Sequence, residues 1–190
     1  MHRPLVSLAS LLASLASVPA SGQGVSLEIL QGAVIETKTT YSTLSRSPKG
    51  TAPATVIGSM RIKVGPAESI EATLTRSVTV NTPVGVKRGV LNRAISGKLG
   101  TPGKGDALNF LWVLEGNQLT FLRIMEVGSF KTTITLSETA GALSCTVDSP
   151  YVPEVAAGPG KDKSAVFAGG KIEIINVKRV GSTCKVGKRG

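Results

Sequence analysis

The residues able to do chemistry are few. The single histidine is His2 and the only cysteines are Cys145 and Cys184. His2 lies inside an N-terminal stretch with the layout of an export signal. A chain that loses that stretch has no histidine, and with it no Ser–His–Asp or Cys–His arrangement. Ser182 and Lys185 form an S-x-x-K match, the spacing with which a neutralised lysine can activate a serine. Three-residue spacing on a strand turns the two side chains to opposite faces, so the match reads as chance. Carboxylate catalysis needs two acids converging on one cleft. Glu28, Glu36, Glu115, Glu126, Glu138 and Asp148 sit at turn or exposed-strand positions with no spacing that singles out a pair. Gly103-Lys104-Gly105 lacks the spacing and the following hydroxyl of a phosphate-binding loop. No catalytic, cofactor-binding or metal-ligating residue is assigned, and the chain reads as a non-enzyme.

The export signal is read from residues 1–20. Arg3 supplies a positive start, residues 5–18 an apolar run too short to span a bilayer, and Val18-Pro19-Ala20 a small-residue cut site. Localisation is then periplasmic or extracellular, with no transmembrane segment. In an oxidising compartment Cys145 and Cys184 are expected to pair. A bridge closing a loop of about 40 residues constrains the unfolded chain by roughly 4 kcal/mol.

The elements that must position everything else are strands. Ala54, Val56, Gly58, Met60, Ile62 and Val64 alternate with Thr55, Ile57, Ser59, Arg61 and Lys63, the period-2 pattern of a half-buried strand. Residues 69–80 repeat it, broken by Arg76 on the apolar side, which suggests a sheet edge. Gly65-Pro66 marks the turn between them. Val25, Leu27 and Ile29 also alternate and read as strand. Residues 33–43 form a threonine-rich strand whose β-branched hydroxyls suit an exposed face. Residues 44–53 and 97–106 read as loops. Residues 107–137 form a three-strand meander holding Phe110, Trp112, Phe121 and Phe130, four of the seven aromatics. These four are the candidate core or cavity wall; aromatics on alternating strands more commonly fill a core. Residues 148–170 form a Gly/Pro-rich excursion in which Asp148, Tyr151, Glu154 and Phe167 could border a cavity mouth. The fold class is all-β, a single antiparallel domain over 21–190 of about nine or ten strands, as an up-and-down barrel or a sandwich.

The formal net charge is +10 and charged residues make up 18% of the chain. Residues 61–104 carry net +6 and residues 105–150 net −3. Arg61, Lys63, Lys87, Arg88 and Arg93 are the candidate anion-binding set. Expected partners are an anionic glycan, a lipid headgroup or a small amphiphile. Export and the scarcity of aromatics in the basic segments disfavour nucleic acid. The competing explanation is a solvated, lysine-rich surface that maintains solubility and blunts strand edges. The leading function is a non-catalytic binding or envelope-associated protein. The alternatives are a structural component joined through sheet edges and, last, a carboxylate-dependent hydrolase. Nothing in the sequence sets the oligomeric state.

Overall fold

Alternating side chains and short turns build a succession of antiparallel strands. A computed structural model describes residues 25–105, 108–125, 128–152 and 173–187. After one helical turn, α1 (Leu27–Leu30), come β1 (Val34–Ser47), β2 (Gly50–Val64), β3 (Ser69–Thr82), β4 (Gly85–Lys98) and β5 (Gly103–Gly105). β6 (Leu108–Glu115), β7 (Gln118–Met125), β8 (Gly128–Thr139), β9 (Ala142–Asp148) and β10 (Glu173–Gly187) follow. They form two five-stranded antiparallel sheets, ordered β10-β1-β2-β3-β4 and β5-β6-β7-β8-β9. Every neighbour is also the next strand in sequence except β10, which returns to pair with β1.

Among the described residues the sheets are tied at both margins. Leu99, just after β4, bridges Trp112 of β6, and the Gly100 N–H donates to the Trp112 carbonyl at 2.7 Å. At the other margin Cys145 of β9 is disulfide-bonded to Cys184 of β10, with Cα atoms 5.5 Å apart. The core takes side chains from both sheets: Ile35, Ile62, Val64 and Ile70 from the first, Phe110, Trp112, Leu119, Phe121, Ile134 and Leu136 from the second. Trp112 and Phe121, directly opposite on β6 and β7, stack with ring centroids 4.4 Å apart. α1 closes one end. The Ser26 hydroxyl accepts the Ile29 N–H, Leu30 is buried, and the Gly32 N–H donates to the Val64 carbonyl at 2.8 Å.

Phe110 explains glycines that composition alone assigns to a loop. A β-carbon on Gly103 would lie 2.3 Å from its Cζ, and one on Gly97 would lie 3.0 Å from its Cε2. The ring fills the space that side chains at both positions would take. Residues 97–106 are therefore part strand, with β5 pairing β6.

Four further expectations are corrected. Residues 25–30 hold a helical turn, Leu27–Leu30, and no strand; six residues are too few for period 2 to be told from period 3.6. Residues 44–53 are the continuous outer part of the β1–β2 hairpin, with Ser47 opposite Gly50 across the turn. Pro53 ends the β2–β3 ladder, which starts at Ala54, so its missing N–H deprives no bond on that side. The threonines of β1 do not line an exposed face. Thr37, Thr39, Tyr41, Thr43 and Ser45 share the inward row with Ile35, all at 7% exposure or less. Hydroxyls satisfy one another there: Ser182 donates to Thr39 at 3.2 Å and Thr43 to the Ala54 carbonyl at 3.3 Å. Finally, Arg76 is not at an edge, since β3 lies between β2 and β4.

Candidate functional site

The first sheet concentrates the cations. β1 to β4 carry nine lysines and arginines against two carboxylates, Glu36 and Glu71. Both carboxylates sit at the end of the sheet nearest α1. Arg61 pairs with Glu36 at 3.5 Å, and Lys63 stands directly opposite Glu71. Arg61, Lys63 and Glu71, with Thr73 and Ser96, line an open groove of about 420 Å³ on the outer face. Two of the five expected anion-binding cations thus share a groove, but each has a carboxylate neighbour that offsets its charge.

The other three lie on β4, where the pleat separates them. Arg88 is opposite Thr79, on the outer face. Lys87 is opposite buried Val80 and Arg93 opposite Leu74, which places both on the inward row. Lys87 and Arg88 are exposed, and Arg93 is half-buried. From Ala72 to Gly105 the chain holds six cations and no carboxylate. The five residues therefore form no single patch. Of these cations, Lys87 and Arg88 lie beside the β3–β4 hairpin, away from Glu36 and Glu71.

A second polar cluster lies on the inner side. The Tyr41 hydroxyl donates to the Ser149 carbonyl at 2.8 Å, and Tyr41 meets Tyr151 edge-on with centroids 5.4 Å apart. Arg76 donates to the Val152 carbonyl at 3.1 Å and to the Tyr151 hydroxyl, and its guanidinium lies 5.0 Å from the Tyr151 ring centre. Ser149 also hydrogen-bonds Thr132. Burial pushes the Tyr41 hydroxyl pKa above its ordinary value, opposed by its bond to Ser149 and by Arg179 and Arg123. The cluster fastens the chain leaving β9 to the inner face of the first sheet. Its one legible trace in the sequence is Arg76, the interruption in an apolar row. Of the residues expected around a cavity mouth, Tyr151 belongs to this cluster and Asp148 forms an ion pair with Arg179. Glu154 and Phe167 lie outside the described residues.

The aromatic set fills space. Phe110, Trp112 and Phe121 are at most 1% exposed, and Phe130 is half-buried. Every described carboxylate is exposed, and Glu71 alone lines the groove. Ser182 and Lys185 fall opposite Thr39 and Glu36, hence on opposite faces of β10. Among the described residues no group of three His, Cys, Asp or Glu side chains could hold a metal ion, and no helix is long and apolar enough to cross a membrane. Comparison with protein-family models, with curated proteins and with solved structures gave no match.

Proposed function

We propose that this is an exported, non-catalytic protein that associates with an anionic component of the cell envelope through the β3–β4 side of its first sheet. The observation that carries the reading is the lopsided charge: nine cations and two carboxylates on β1 to β4, with both carboxylates at one end. The sequence supports removal of residues 1–20 and delivery to the periplasm or the extracellular space. The Cys145–Cys184 bridge is compatible with an oxidising compartment. The mature chain would be one domain. The ties at both margins of the two sheets bring it nearer a flattened barrel than an open sandwich.

Assembly through edge pairing is the weaker alternative. β4 has β3 as its ladder partner, but Lys87, Arg88, Arg93 and Lys98 populate it, and charge along an edge opposes pairing with another strand. A hydrolase is weaker still, since the described carboxylates are exposed rather than gathered in a cleft.

The test is retention of the oxidised, exported protein on heparin and on anionic vesicles at low salt. The expected result is binding at about 20 mM salt that fades as the screening length shrinks above roughly 0.3 M. Elution at low salt together with neutral controls would overturn the proposal.

A further inference from the structure

We propose that the anionic component is a lipid bilayer, and that the outer face of β1 to β4 and the β3–β4 hairpin tip lie against its headgroups. This rests on the anion-binding reading above and adds the identity of the partner. Charge alone does not select among anionic polymers, but the exposed apolar side chains beside the charge do. Val84 occupies the hairpin turn and is 90% exposed, while Val86 and Val90 are 58% and 56% exposed. Besides proline, turn positions ordinarily take Gly, Asn, Asp or Ser, so Val84 is the unusual residue. Here the turn is held by Pro83, by positive φ at Gly85 and by the Thr82 hydroxyl, which donates to the Gly85 carbonyl at 2.7 Å. Val84 is thereby presented outward at the tip.

The pleat does the rest. Val86, Arg88 and Val90 alternate onto the outer face, opposite Asn81, Thr79 and Ser77. The same face continues through Ile57 of β2, which is opposite Ser77. Going toward the tip, these strands carry no carboxylate beyond Glu36 and Glu71. From Glu71 to Thr82 the strand runs roughly 36 Å at its usual rise, so the tip is well separated from the compensated groove.

An anionic glycan would satisfy Lys87 and Arg88 but offers no apolar phase for Val84 and Val86. A second copy of the chain would bring the same excess of cations against itself. A bilayer with anionic lipid meets both requirements, with phosphates for the cations and the headgroup–acyl boundary for the valines. Each cation near such a surface strengthens binding about fivefold.

The experiment uses the oxidised protein with vesicles of mixed phosphatidylglycerol and phosphatidylcholine, vesicles of phosphatidylcholine alone, and heparin as a lipid-free polyanion. The double variants are V84S/V86S and K87Q/R88Q, whose sites are exposed and outside the core; circular dichroism confirms their fold. The parent is expected to sediment with phosphatidylglycerol vesicles and not with phosphatidylcholine alone. V84S/V86S should bind those vesicles about tenfold more weakly while keeping its retention on heparin. K87Q/R88Q should lose at least about fivefold on vesicles, the share of outer-face Arg88, and also weaken on heparin. Heparin binding without vesicle binding, or vesicle binding unchanged in V84S/V86S, would overturn the membrane proposal and leave the anion-binding reading standing. Binding to neither probe would remove both. Self-association at the hairpin that V84S/V86S abolishes, with vesicle binding intact, would reassign the face to a second copy.

Discussion

Replacing Cys145 and Cys184 together by serine removes the one covalent tie between β9 and β10. The folded strands retain their own ladders: β10 keeps its register with β1 from Val34–Gly187 to Arg46–Glu173, and β9 keeps its pairing with β8. The loss is therefore expected mainly in the unfolded state, which regains freedom over a sequence separation of 39 residues. Chain-entropy scaling puts that at about 4 kcal/mol, a large part of the roughly 5–15 kcal/mol that stabilises a domain of this size. With a urea dependence of about 2 kcal/mol per molar, the midpoint should fall by about 2 M. The strand signal in far-ultraviolet circular dichroism should be unchanged in water. Parent protein reduced with dithiothreitol should unfold at the same midpoint as the double variant. A midpoint shift below about 0.3 M would show that the bridge constrains little. Loss of strand signal in water would show that the bridge, and not the ladders, holds β10 in place. Either result refutes the reasoning.

Gly103→Ala should destabilise by about 1–3 kcal/mol in the same assay, because its new methyl would press on a ring that is 1% exposed. Gly58→Ala, where a β-carbon meets nothing within 4 Å, should change stability by less than about 1 kcal/mol and serves as its control. Tyr41→Phe should cost about 1 kcal/mol at neutral pH through the lost bond to Ser149. It should also alter the alkaline limb. The Tyr41 pKa is raised in the folded protein, so between pH 10.0 and the folded value the native state binds more protons than the unfolded chain. Stability must fall with rising pH across that window. Denaturation at stepped pH should show a shallower alkaline decline in Tyr41→Phe than in the parent, and parallel curves would count against buried Tyr41.

Much of the strand pattern was legible in the residues. Alternation over 54–64 and 69–80, and the turn signals of the aromatic meander, identify β3 and β6 to β8 almost to their ends, and β2 from Ala54 onward. The failures have physical causes. The inward row of β1 is rich in hydroxyls, because buried Thr39 and Thr43 find partners in a neighbouring strand's hydroxyl and carbonyl; a hydropathy pattern cannot see those partners. Arg76 looked like an edge residue because its partners, Tyr151 and Val152, arrive from 75 and 76 positions further along the chain. β10 obscures its own period. Its register with β1 slips between Thr40 and Tyr41 and again between Ser42 and Leu44, leaving Val180 without a paired residue and 67% exposed. The basic residues were visible individually. The division of Lys87, Arg88 and Arg93 between two faces of β4 follows from alternation; what the sequence did not contain was the carboxylates placed across from Arg61 and Lys63, which follow from strand register.

The most direct measurement is an amide nuclear magnetic resonance titration of the oxidised protein with short-chain phosphatidylglycerol below its micelle concentration. Shifts should concentrate on residues 83–90 and neighbouring outer-face positions of β2 and β3, and should disappear at high salt. Shifts confined to the groove around Arg61, Lys63 and Ser96, or none at all, would contradict an anion-recognising face at the β3–β4 hairpin.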